Sequence, residues 1–406
     1  MEGDLVKAII TNRTANFMKA ELLEVIEAGN NRVAPPCPYF NDCGGCGLQH
    51  LRADYYRDFK KRVVENALRK SGFASASPEF VFLPPASRRR VQFRLLKVDE
   101  GYSLALMASR SHKKIAIDNC LILEENSQQF MPLLCDAINR QSFVDDISTI
   151  SVTSVGPNVE IVISLQESSA SIDRIEKYAD YKEQIKKDLQ LLTDIGCVSR
   201  VAISNKRQEI LFELEKIPFR MEVGGFNIPL SHNTFLQASE AGQKLLTNFV
   251  VKHLACIDGK VDNKKSIVDL FCGVGCYSLA LVKKLTMITS IDINNDVIVN
   301  ILRVAEDNKL NIVGKKRNLF TNPLNRKELS VFDGVIINPP RAGAKEQCQQ
   351  IAISDVNNVV MISCNPASFA RDALCLSRAG FKLKEALAVD QFVWSPHIEI
   401  AAAFIR

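Results

Sequence analysis

Several side chains in this sequence stand at spacings that chemistry can use. The apolar run Ser266-Ile267-Val268-Asp269-Leu270 is followed by Phe271-Cys272-Gly273-Val274-Gly275. A Gly-x-Gly turn at the end of a buried strand lets the main chain approach a ligand closely, although an ordinary strand-to-helix turn has the same look. Asp292 ends the next apolar run, about 20 residues beyond the glycines, where a carboxylate accepts both hydroxyls of an adenosine ribose. Ser278 stands where a dinucleotide-binding turn has its third glycine. That disfavours a nicotinamide cofactor and favours S-adenosylmethionine, which has a ribose but no pyrophosphate. Asn338-Pro339-Pro340 places a rigid polar tip at a third strand end, and Arg341 follows where enzymes acting on amino groups carry a stacking aromatic residue. A fourth run, Val359-Val360-Met361-Ile362-Ser363, delivers Cys364-Asn365-Pro366 to the same sheet edge. A thiol there, ahead of a helix, is placed for stabilisation as thiolate by main-chain amides. Glu399 opens the last apolar run and reads either as a base or as a solvated strand-edge carboxylate.

A thiol, a base and a methyl donor together serve one reaction, methylation of a pyrimidine at C5. That carbon is a poor nucleophile until a thiolate adds to C6 and leaves an enolate. The adduct then holds one proton too many, and a carboxylate can take it so that the thiolate leaves. Cys364 and Glu399 fit these roles. A base inside a helix cannot present C6, so the target is a single-stranded or flipped-out nucleotide.

These residues need a frame. After Leu230 the pattern repeats as helix, buried apolar strand, Gly-rich turn and helix, which implies a parallel, doubly wound sheet. We expect an α/β protein: a Rossmann-like methyltransferase domain over 226–406, a central α+β domain over 76–225, a cysteine-cluster region over 37–75, and part of a small β-barrel over 1–36. Within these, Asp54 to Lys70 reads as an amphipathic helix stopped by Ser71-Gly72. Apolar residues are 47% and charged residues 24%, and no run approaches the roughly 18 apolar residues of a membrane helix. With no targeting segment legible at Met1-Glu2-Gly3-Asp4, the expectation is a soluble, cytoplasmic monomer.

The motifs Phe235-Leu236-Gln237, Asp269-Leu270-Phe271-Cys272-Gly273, Pro339-Pro340-Arg341-Ala342-Gly343, Ser363-Cys364-Asn365-Pro366 and His397-Ile398-Glu399 occur in the order found in the bacterial RNA uracil-C5 methyltransferase family, which residues 230–406 resemble. The resemblance implies Cys364 as nucleophile, Glu399 as proton acceptor, and Gln237, Phe271, Asp292 and Asn338, with the Gly273 and Gly275 turn, as the S-adenosylmethionine pocket. The family usually has Glu at 292 and Asp at 338, so this pocket has a shorter reach to the ribose and one neutral amide in place of an anion.

Cys37-x5-Cys43-x2-Cys46 with the distant Cys120 could hold zinc or an iron-sulfur cluster, and a trio plus one favours the cluster. The family's 23S rRNA branch resembles this chain, with a [4Fe-4S] cluster on the same spacing; its tRNA branch generally lacks one. The implied partner is therefore RNA, 23S rRNA before tRNA. Residues 1–120 hold 19 Lys/Arg against 13 Asp/Glu, and the remainder 32 against 33. Arg88, Arg90 and Arg94 alternate on an expected strand and face RNA phosphates or bases in this reading, or carboxylates in a salt-bridged strand. Cys135, Cys197, Cys256, Cys348 and Cys375 read as incidental thiols, and Cys272 and Cys276 as packing beside the turn. The rival function is an inactive iron-sulfur RNA-binding protein on the same fold.

Overall fold

The computed structural model describes residues 1–14, 17–109, 111–167, 171–172, 175, 179–255, 265–284 and 287–406. Cys256 lies outside them. Strands β1 (Leu5–Arg13) and β2 (Met18–Glu27) pair as an exposed antiparallel hairpin. Turns carry the chain through the cysteine-bearing stretch to the helix Ala53–Lys70, which buries Val64, Ala67 and Leu68, and then to β3 (Glu79–Phe82).

Seven strands build the central sheet: β4 (Arg90–Val98), β5 (Gly101–Met107), β6 (Lys114–Ala116), β7 (Ile147–Val155), β8 (Asn158–Leu165), β9 (Val198–Ser204) and β10 (Ile210–Glu215). Their order is β10-β9-β8-β7-β4-β5-β6. Only the β8–β9 pair is parallel, and it needs the longer crossover that contains the helix Ala179–Thr193. That helix and Glu125–Asn139 bury Leu134, Ile138, Ile185 and Leu189 in one core with the sheet. A short hairpin of β11 (Arg220–Val223) and β12 (Phe226–Pro229) follows.

The second sheet has eight strands: β13 (Ser266–Leu270), β14 (Met287–Asp292), β15 (Ile312–Lys316), β16 (Gly334–Ile337), β17 (Asn358–Ser363), β18 (Lys382–Asp390), β19 (Glu399–Ile405) and β3, in the order β15-β14-β13-β16-β17-β19-β18-β3. From the β13–β16 boundary chain order runs outward through β14 and β15 on one side and through β17 on the other, the doubly wound arrangement expected from the apolar runs, before β19 inserts between β17 and β18 and β3 closes the edge. All the strands are parallel except β19, which runs against both neighbours. Alternate residues feed two cores: Ile267, Ile336 and Val360 face the helices Glu240–Leu254 and Asn295–Asp307, while Val268, Val335 and Met361 face Lys345–Ala352 and Pro366–Arg378.

The sequence reading places the helix Ala53–Lys70 in the cysteine region and opens the central domain at 76. In the structure this helix and β3 complete the eight-stranded sheet: Val64 and Leu68 enter its core, and β3 pairs with β18. A buried ion pair fastens the helix. Lys60, with no exposure, places Nζ 2.6 Å from Asp390 Oδ1 and donates to the His397 carbonyl, while the Tyr56 hydroxyl donates to Asp390 Oδ2. Removing one member of such a pair strands the other charge in the core. Asp390→Ala should therefore lower unfolding stability by about 3–5 kcal/mol in urea titration, and the double replacement Lys60→Met with Asp390→Leu should recover most of the loss.

Candidate active site

The carboxyl ends of β13, β14, β16 and β17 meet at the topological switch point, where an open α/β sheet binds its ligand. The turn after β13 holds Phe271, Gly273 and Gly275 at φ 59°, 51° and 76°. At Gly275 an added Cβ would lie 2.8 Å from Ile301 Cδ1, so both conformation and space demand glycine. At Gly273 the same atom would meet nothing within 4 Å: the turn opens onto free space, as a cradle for a ligand requires. Asp292 Oδ2 accepts from the Gly273 amide and Oδ1 from the Asn294 amide, each at 2.9 Å. The shorter acid therefore ties two loops of the pocket together while its remaining lone pairs stay available. Ser278 has a role of its own: its hydroxyl bonds Asp269 Oδ2 at 2.7 Å and the Ser290 hydroxyl at 2.8 Å. Burial pushes the Asp269 carboxyl up to about 7. The Phe271 ring packs against Phe320 at 5.4 Å, and Asn338, half-buried, donates its main-chain amide to the Leu270 carbonyl. These residues fit a bound S-adenosylmethionine.

Cys364 follows β17 and Glu399 begins β19. Ser363 pairs with Ile400 in the antiparallel ladder, so its continuation sets Cys364 beside Glu399. Glu399 is 2% exposed, and burial pushes its carboxyl up to about 7, opposed by a 3.0 Å hydrogen bond from Gln391 Nε2. The solvated strand-edge alternative for this residue does not hold. Helix amides were expected to lower the Cys364 thiol. Instead, the thiol is raised to about 11, by burial first and by the Glu399 carboxylate second, with the Arg341 guanidinium opposing both. Asn365 caps the helix Pro366–Arg378 and donates to the Arg341 carbonyl at 2.9 Å, joining the thiol loop to the Asn-Pro-Pro-Arg loop.

Gln237 is buried, with Oε1 accepting from Gln391 Nε2 at 2.8 Å. Its main chain is held from the central domain by Arg89, a residue the motifs passed over. Arg89 Nε donates to the Gln237 carbonyl at 2.8 Å, its other arm reaches Gln243, and its amide bonds the Ala238 carbonyl. Of the three arginines singled out, Arg90 and Arg94 lie on β4, while Arg88 precedes the strand and bridges to Leu123. Their guanidiniums donate chiefly to main-chain carbonyls: Arg88 to Arg90, Arg90 to Asn233 and Thr234, and Arg94 to Ser148, whose hydroxyl it also reaches. Arg94 also lines an open groove of about 740 Å³ with His112, Lys114 and Lys206.

The structure gathers Cys37, Cys43, Cys46 and Cys120. Burial raises the Cys46 thiol to about 11, and the other three thiols add to the shift. The Gly45 amide donates to Cys43 Sγ at 3.4 Å, and burial lowers the Arg88 guanidinium against a smaller opposing influence of Cys120 and Cys46. Among the described residues, however, no three metal-ligating side chains close into a metal-binding group. Among the described residues no helix is long and apolar enough to cross a membrane.

The tRNA (Uracil-5-)-methyltransferase family matches residues 57–406. An uncharacterized RNA methyltransferase of Mesorhizobium japonicum is 31% identical over 386 residues, which cover 95% of this chain and 87% of that protein. The 23S rRNA (uracil(1939)-C(5))-methyltransferase of Acinetobacter baylyi is 26% identical over 418 residues, covering 100% of this chain and 87% of that protein. The Pyrococcus abyssi tRNA (uracil-54, C5)-methyltransferase, solved with S-adenosyl-L-homocysteine, shares the fold at a TM-score of 0.71 and 21% identity, over 99% of this chain and 93% of that one. The chain belongs to the tRNA (uracil-5-)-methyltransferase family and is an S-adenosylmethionine-dependent RNA uracil-C5 methyltransferase.

Proposed function

We propose that this enzyme methylates C5 of a uridine in 23S rRNA through a covalent bond between Cys364 and C6. The observation that carries this reading is the meeting of Cys364 and Glu399 on adjoining strand ends beside the Gly273 turn. S-adenosylmethionine supplies an electrophilic methyl group on a sulfonium. Cys364 gives its proton to solvent and its sulfur adds to C6, which places an electron pair on C5; that pair would take the methyl group as its bond to the sulfonium breaks, leaving the donor as a neutral thioether. Glu399 then removes the C5 proton, the C5–C6 double bond reforms, and the sulfur leaves with the pair from its carbon bond. Gln237, Phe271, Gly273, Gly275, Asp292 and Asn338 hold the donor in this reading. The rRNA assignment is supported by the gathered cysteines and by the full-length likeness to the Acinetobacter enzyme. Arg94 and its basic groove suit the RNA backbone. Arg88 and Arg90 act in the same reading by shaping the loops behind it.

In the same reading Cys37, Cys43, Cys46 and Cys120 hold a [4Fe-4S] cluster, for which the Gly45 amide at Cys43 and the buried Arg88 charge are suited partners. Anaerobically purified protein should contain about four irons and four sulfides per chain, and Cys120→Ala should lose them. Iron-free protein with full activity would remove the cluster from the reading.

RNA carrying 5-fluorouridine should form a denaturant-resistant complex with the enzyme in the presence of S-adenosylmethionine, and Cys364→Ala should abolish it. A cross-link that survives in the mutant would rule out this nucleophile. Assays on 23S rRNA and tRNA transcripts decide the substrate, and methylation of tRNA alone would exclude rRNA. Absence of S-adenosylmethionine binding in calorimetry would instead favour the inactive RNA-binding protein.

A carboxyl near 7 is protonated at lower pH and cannot accept a proton, so turnover should rise with pH through about 7. Glu399→Gln should remove that limb and slow turnover roughly 10²–10⁴-fold, with adduct accumulating on the gel.

A further inference from the structure

No motif singles out Gln391. It follows β18 and is 2% exposed. Its Nε2 donates to Glu399 Oε2 at 3.0 Å and to Gln237 Oε1 at 2.8 Å. Two acceptors on one amide nitrogen leave it a single orientation, since the reverse would set oxygen against oxygen. The amide oxygen then lies against the first turn of the helix Glu240–Leu254: a Cβ added at Gly242 would stand 2.6 Å from it. Glycine at 242 is what makes room for the amide.

We propose that Gln391 is a positioning residue for the proton-accepting step, locking the Glu399 carboxylate beside Cys364 and joining it to the Gln237 side chain of the donor pocket. The proposal rests on the reading of Glu399 as the base. In the step it serves, the C5–H bond breaks and its proton passes to Glu399. The electron pair restores the C5–C6 double bond, and the C6–S bond breaks with its pair returning to Cys364. Two titratable groups face Glu399: the Cys364 thiol at the end of β17, and the Tyr277 phenol of the helix Cys276–Leu281. Neither supplies positive charge. The Gln391 N–H is the contact that favours the ionised carboxylate against burial.

Gln391→Met keeps the length and removes both donors. Its acid limb of turnover against pH should move up by about one unit, and methylated adduct should accumulate on natural RNA at pH 7. Cross-linking to 5-fluorouridine RNA and donor binding by calorimetry should persist, which marks an intact fold and nucleophile. Gly242→Ala, which crowds the amide without touching Glu399, should shift the limb in the same direction. A wild-type limb and no adduct in Gln391→Met would overturn the proposal, as would loss of donor binding and cross-linking together. If Glu399→Gln itself retains the wild-type limb, the base assignment fails whatever the Gln391 variants do, and the positioning role falls with it.

Discussion

One strand runs the wrong way, and the candidate site depends on it. In a parallel sheet every carboxyl end reaches the same edge, so each strand can offer that edge only its last residues. β19 is antiparallel and offers its first. The reversal sets Glu399 across the ladder from the residue that follows β17, and a carboxylate and a thiol meet at main-chain distance without a long loop to carry either. Both are placed by strands whose inner residues are fully buried, so their separation is as rigid as the sheet.

That placement is held at an energetic cost. Burial raises both Glu399 and Asp269 to about 7, far above an ordinary carboxyl group. A carboxyl raised by folding stabilises the native state at low pH. This contribution fades as pH climbs from about 4 through 7, so each acid weakens the fold where its ionised form is present. Asp269 is partly relieved by Ser278, and Glu399 by Gln391. The Lys60–Asp390 pair anchors the segment between β18 and β19, where it holds the His397 carbonyl two residues before Glu399.

Much of this was legible beforehand, for a local reason. The glycine turn and Cys364 each follow a short apolar run and Glu399 opens one, and such runs with their flanking residue types are features of contiguous sequence. What escaped was relational. The unbroken apolar run Ile400 to Ile405 identifies a buried strand but carries no direction, so the antiparallel sense of β19 was invisible. Gln391 meets Gln237 across 154 residues, and nothing beside it in the chain hints at the contact. The expected lowering of the Cys364 thiol considered only its own helix and missed the carboxylate delivered by another strand. The arginine alternation was real for Arg90 and Arg94, yet spacing does not say that neighbouring carbonyls already engage the guanidiniums.

Arg89 has a bearing on modular engineering. Its guanidinium and amide, delivered by the central domain, grip the backbone that presents Gln237. A chimera that imports a foreign recognition module with a seam near residue 225 would sever that grip unless the graft carries an arginine at the equivalent point. The two halves are therefore coupled through Arg89, and exchanging the central domain means transplanting that contact with it.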